Sequence, residues 1–131
     1  MGDPRIEKYA RLLVETCVDV QPGWQVLVVG SPLGRPLVEE VTRQIARRGA
    51  HALVRVNFGG SLFASRSWLR EAPLELVATP ASIEQHAFEQ CDAIVVIEAP
   101  ENTRDASAIS QDRLAAIQAA YRPSLERLFQ A

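Results

Sequence analysis

Apolar residues recur along this chain at two different periods, and the switches between them lay out the fold. Across residues 4–20, Ile6, Tyr9, Ala10, Leu13 and Cys17 return at helical spacing, with Arg5, Lys8 and Arg11 largely off that face. Asp3 can cap this helix, Pro4 suits its first turn, and Glu7 with Arg11 forms a possible i,i+4 pair. Gln21-Pro22-Gly23 is a turn by composition. The unbroken run Val26-Leu27-Val28-Val29 predicts a strand covered on both faces, ending at a loop from Gly30 to Gly34. Leu37, Val38, Val41, Ile45 and Ala46 make a second helical stripe, with Arg47-Arg48 in its last turn and Gly49 as its stop.

Over residues 52–58 the period falls to two. Val54, Val56 and Phe58 alternate with Arg55 and Asn57, which predicts a strand with a wetter face or a place near a sheet edge. Residues 62–72 read as a short helix closed by Pro73; residues 74–78 fit a strand or a helix, the helix being favoured because Pro73 can start one. Thr79-Pro80 has the form of a cap and first-turn proline for a helix reaching about Gln90. Residues 92–98 form a third apolar strand. Residues 100–110 are a polar loop, after which Ser110 caps a last helix carrying Leu114, Ile117 and Tyr121. Pro123 is expected to bend or break that helix, while Leu125 and Leu128 prolong its stripe.

Helices alternating with strands in this way predict a single α/β domain over residues 1–131, a three-layer α/β/α sandwich with a small, mostly parallel, Rossmann-like sheet. Three strands make a small sheet, so at least one edge needs cover: a helix, a partner chain or a further domain.

Composition narrows the function classes. The chain has 131 residues, 47% hydrophobic and 23% charged, with a formal net charge of -2. A mixed, mildly acidic surface gives no electrostatic case for nucleic acid or an anionic membrane, and no apolar run is long enough to span a bilayer. The N-terminal stretch has no apolar signal-peptide core, so a cytoplasmic location is expected. Cys17 and Cys91 fit no CxxC pattern and read as two small buried apolar residues.

Candidate chemistry is sparse. A dinucleotide fingerprint needs glycines at a fixed spacing after the first strand, so that backbone amides approach a pyrophosphate. Gly30-Ser31-Pro32-Leu33-Gly34-Arg35-Pro36 has the wrong spacing and two prolines without amide donors, and Asn57-Phe58 stands where an acidic residue would close the second strand. Ser31 lacks the flanking glycines of a nucleophile elbow and reads as a turn serine. His51 and His86 are the only histidines, and neither sits in a metal-ligand spacing. Glu98, Glu101 and Asp105 follow the third strand, where ligands gather in open α/β sheets; they can act as bases, bind an amine, or simply line a hydrated loop. Ser31, Asn57, Glu98 and Glu101 are the candidate cleft-lining residues, with no catalytic residue and no metal ligand assigned.

A resemblance adds to this. Tyr9-Ala10-Arg11-Leu12-Leu13-Val14, the passage from Val20-Gln21-Pro22-Gly23 into Val26-Leu27-Val28, Pro36-Leu37-Val38, Gly49-Ala50, and the tail from Arg113 to Arg122 together resemble the N-terminal domain of the thermophilic metallo-aminopeptidase family. The resemblance covers nearly the whole chain. It implies a two-domain, dimeric parent that releases N-terminal amino acids from peptides. It also implies a pair of divalent ions, zinc or cobalt, held by glutamates, histidines, an aspartate and a tyrosine of a second domain that this chain does not include. On that reading the chain alone is inactive, its partners being a peptide substrate and a second subunit met through the parent. The Gly59-Gly60 turn departs from the more polar stretch expected after the second strand. A stand-alone small-ligand-binding or oligomerisation module is the alternative.

Overall fold

The structure, a computed structural model, describes residues 3–59, 61–97 and 109–129. These divide into two compact units, the described residues of Met1–Val56 with Cys91–Ala99, and those of Asn57–Gln90 with Pro100–Ala131.

The first unit opens with helix α1, Pro4–Arg11. The Asp3 carboxylate accepts from the Arg5 amide at 2.8 Å, so one of the first-turn donors finds its partner. The Arg11–Glu7 pair forms at 3.3 Å. The helix then widens into a π-helical stretch, Leu12–Cys17. The extra residue per turn shifts the inward face onto Ala10 and Val14, both fully buried, and swings Cys17 out to solvent. The expected burial of Cys17 is therefore corrected, while Cys91 is buried as expected.

Strands β1 (Gln25–Gly30), β2 (His51–Val56) and β3 (Ala93–Ile97) form one parallel sheet in the order β2-β1-β3. Helix α2, Arg35–Arg47, joins β1 to β2. The register sets Val28 beside Val54 and Val95. On the face carrying Val26 and Val28, the core joins Ala10, Val14, Val41, Ile45, Val95 and Ile97, with Trp24 packed against it. On the other face Leu27 and Val29 are buried as well, so β1 is covered on both sides as its unbroken apolar run required. β3 differs: Val96 is 44% exposed, because an outer strand is shielded on fewer sides than the central one.

Two polar devices hold the ends of this sheet. Asp92 accepts the Gln25 amide through its carboxylate and donates its own amide to the Gln25 carbonyl, each at 2.8 Å, pinning the starts of β1 and β3. Arg48 donates to the Val20 carbonyl at 2.9 Å and to the Asp19 carboxylate at 3.0 Å. Asp19 is the described non-glycine residue with a left-handed backbone, φ 53°. Gly49 ends α2 at φ 76°, where its amide meets the Ala46 carbonyl and its own carbonyl accepts from Gly23.

The second unit is helical: α3 (Arg66–Glu71), α4 (Leu74–Val77), α5 (Ser82–Gln90) and α6 (Gln111–Phe129). Its centre is aromatic. Phe63 stacks on Tyr121 with centroids 5.1 Å apart, and Phe88 meets both rings edge-on. The Tyr121 hydroxyl accepts the Ala81 amide at 2.8 Å. Arg113 donates to the carbonyls of Leu69, at 2.8 Å, and Ala72, closing the C-terminus of α3.

Two expectations change here. Thr79 does not cap α5, which starts at Ser82; its hydroxyl instead donates to the Glu75 carbonyl at 2.8 Å and finishes α4. Pro123 does not break α6. The proline removes the donor for the Ala119 carbonyl, but both residues lie on the exposed side, which solvent can reach. Ser110 does cap α6, accepting the Arg113 amide at 3.3 Å.

Candidate functional site

The loop beyond β1 is where an α/β sheet of this kind presents ligands. Gly30 closes the strand under α2, and a Cβ there would overlap a methyl group of Val38. The glycine thus serves helix–strand packing. Past it, Pro32–Gly34 forms a 3-10 turn. The Gly34 amide donates to the Ser31 carbonyl at 3.0 Å, and the Arg35 amide to the Pro32 carbonyl. Pro32 and Pro36 carry no donor. The Gly34 and Arg35 amides are thus spent within the loop, and Leu33, 62% exposed, stands at its surface. Such a loop offers an anion little to bind.

Ser31 stands at the N-cap position of that turn, and its side chain makes no cap bond there. Asn57 belongs to the second unit. It donates through Nδ2 to the Ser61 carbonyl, while its Oδ1 is buried and finds no partner among the described residues. That bond folds the turn after β2 upon itself. Glu98, Glu101 and Asp105 lie outside the described residues.

The charged groups of α2 are paired along the helix. Arg35 donates to Glu39 at 2.8 Å, and Arg43 to the mostly buried Glu40 at 2.6 Å. Each carboxylate raises the pKa of its arginine above the ordinary value, so these guanidiniums remain charged fixtures.

Metal chemistry needs converging donors. Among the described residues no three of His, Cys, Asp and Glu come together. His51 opens β2 in the first unit, and His86 lies within α5 of the second. The described donor set therefore does not fit a pair of divalent ions. A shallow depression lined by Pro73, Glu75, Leu76 and Thr79 brings one carboxylate near a hydroxyl that already has a partner.

What the sequence did not reveal is mostly structural: the Asp92 clamp, the Arg48 clamp and the Tyr121 hydroxyl all work across long sequence separations. The exposed side of β2 was signalled, by the alternation of residues 52–58.

The sheet is parallel, three-stranded and Rossmann-like, which defines an α/β domain. The chain belongs to the thermophilic metalloprotease (M29) family, whose model matches residues 2–131. Among solved structures it is similar to wild-type AmpT from Thermus thermophilus, at 20% identity and a TM-score of 0.68, over 95% of this chain and 33% of that one. At this identity the likeness is one of fold, and the chain spans about a third of that relative. No curated protein sequence matches the chain.

Proposed function

We infer that this chain is the first, non-catalytic domain of a metal-dependent aminopeptidase. The observation that carries the reading is the family match over residues 2–131 on a chain whose described residues gather no metal ligands. In such an enzyme a pair of divalent ions, zinc or cobalt, would supply an activated water for hydrolysis of the N-terminal peptide bond, and no cluster among the described residues of this chain would hold them. The domain covers the catalytic one, narrows access to the metals and supports a homodimer in the cytoplasm.

Two measurements test this. The purified 131-residue chain should leave leucyl substrates intact with cobalt or zinc present; turnover by it alone overturns the reading. Exchanged for the matching third of AmpT, it should preserve hydrolysis and alter the preferred peptide length. A correctly folded chimera with unchanged length preference would remove the access role.

A further inference from the structure

The first helix ends in a winding that its apolar spacing does not favour. At about 3.6 residues per turn, the step from Ala10 to Cys17 is close to two full turns, so ordinary α winding sets both residues on one face. Ile6 and Leu13 belong to the same α-spaced stripe. In the structure Ala10 and Val14 are fully buried and Cys17 is exposed, because Leu12–Cys17 winds as π-helix. The Val18 amide accordingly donates to the Leu13 carbonyl, at 2.9 Å, rather than to Val14. The Val20 amide takes the Val14 carbonyl instead, at 3.0 Å. π winding is rare, and a left-handed aspartate, Asp19 at φ 53°, follows it within two residues. Two unfavourable conformations in succession need something to hold them.

The hold is at Val20, whose side chain is fully buried in the core of the first unit. Its carbonyl accepts from Arg48 Nε at 2.9 Å, and the Asp19 carboxylate accepts from Arg48 Nη2 at 3.0 Å. Arg48 is itself fixed at the end of α2, where its amide meets the Gln44 and Ile45 carbonyls. We propose that Arg48 is a register lock: by gripping Asp19 and Val20 it keeps residues 12–17 in the π register, and its release lets them rewind as α-helix. The Val18 amide then passes to the Val14 carbonyl, and the Cys17 thiol turns toward the core beside Ala10. The element thus has two discrete registers, and solvent reaches the thiol in only one of them. Burial of Val14 does not choose between them, since four residues past Ala10 it faces inward under α winding as well. The lock does not depend on the peptidase reading of the chain.

The test uses the whole 131-residue chain, isotope-labelled at nitrogen and carbon, and the magnetic coupling through the Val18 hydrogen bond, which identifies the accepting carbonyl. In the parent chain the acceptor should be Leu13. In Arg48→Met it should be Val14, and iodoacetamide should alkylate Cys17 about tenfold more slowly, the rate expected when the π register falls to about a tenth of the population. Alkylation is read at Cys17 itself by mass spectrometry, so the buried Cys91 does not enter. Asp19→Asn, which keeps an acceptor for Arg48 and tolerates the left-handed backbone, should retain the Leu13 bond and the parent rate. Should Arg48→Met unfold, Asp19→Val takes its place with the same expectation, because it removes the carboxylate and resists that backbone. Three outcomes overturn the proposal: an acceptor other than Leu13 in the parent chain; the Leu13 bond and the parent alkylation rate retained in the folded releasing variant, which means Arg48 holds no register; or loss of both bonds with faster alkylation while the Val26 and Val28 amides stay protected from exchange, which means the clamp only prevents fraying.

Discussion

The two units of this chain solve the same problem of cohesion with different chemistry. In the first, nine small and medium aliphatic residues share the core, and a continuous backbone ladder supplies the polar bonds. In the second, three aromatic rings converge, and side chains reach carbonyls and amides tens of residues away. A sheet satisfies its own backbone, so its side chains need only pack. Short helices leave many ends unsatisfied, so Arg113, Tyr121 and Thr79 are recruited to finish them. Cohesion is thus spread thinly in one unit and concentrated in the other.

Truncation should expose that contrast most strongly. Phe88→Ala removes a ring that touches both other aromatics, and should lower stability by about 3–5 kcal/mol in urea titration. A loss below about 1 kcal/mol would mean the aromatic centre is not where this unit's cohesion lies. Next comes Gly30→Ala, which drives a methyl into Val38 and should cost about 1–3 kcal/mol. The double change Gly30→Ala with Val38→Ala should recover part of that, since the overlap is with a side chain. Tyr121→Phe keeps the ring and deletes only the partner of the Ala81 amide, for about 1 kcal/mol. In the aliphatic core, Ile45→Val should cost about 0.5–1.5 kcal/mol by the same titration, the mark of a distributed core.

The smallest expected effect is a pH dependence at the start of α1. The hydrogen bonds from Arg5 hold the Asp3 carboxyl below its ordinary value of 3.8. A depressed carboxyl in the folded state stabilises above the unfolded value and loses that contribution as pH falls through the folded one. Melting temperature should therefore decline below about pH 4 less steeply in Asp3→Asn than in the parent chain, with salt reducing the difference. Identical acid limbs would show that the cap is electrostatically silent.

Much of the fold was legible along the chain. The strands expected at 26–29, 52–58 and 92–98 form at Gln25–Gly30, His51–Val56 and Ala93–Ile97. The M29 family, too, could be read from the residues that build the first helix, the turn before β1 and the tail. Errors fell where local signals have two readings. Thr79-Pro80 looks like a helix start, yet the Thr79 hydroxyl turned back to the preceding helix. Pro123 reads as a bend or a break, and of the two the break does not occur: the residue faces water and the helix continues. The candidate cleft was the least legible. Ser31 is absorbed into a self-bonded turn, Asn57 folds its own loop, and Glu98 and Glu101 lie outside the described residues.

The sequence by itself determined the periods of burial, and with them the strands, most helices and the α/β class, because side-chain spacing alone sets which face of an element is apolar. Only tertiary structure decided that Cys17 faces solvent, that Arg48 clamps Asp19, and that β2 is an outer strand of the described sheet. Each of those depends on how one element meets another. A π-helical turn rotates a face, a guanidinium spans 29 positions, and an edge exists only once a sheet has an order.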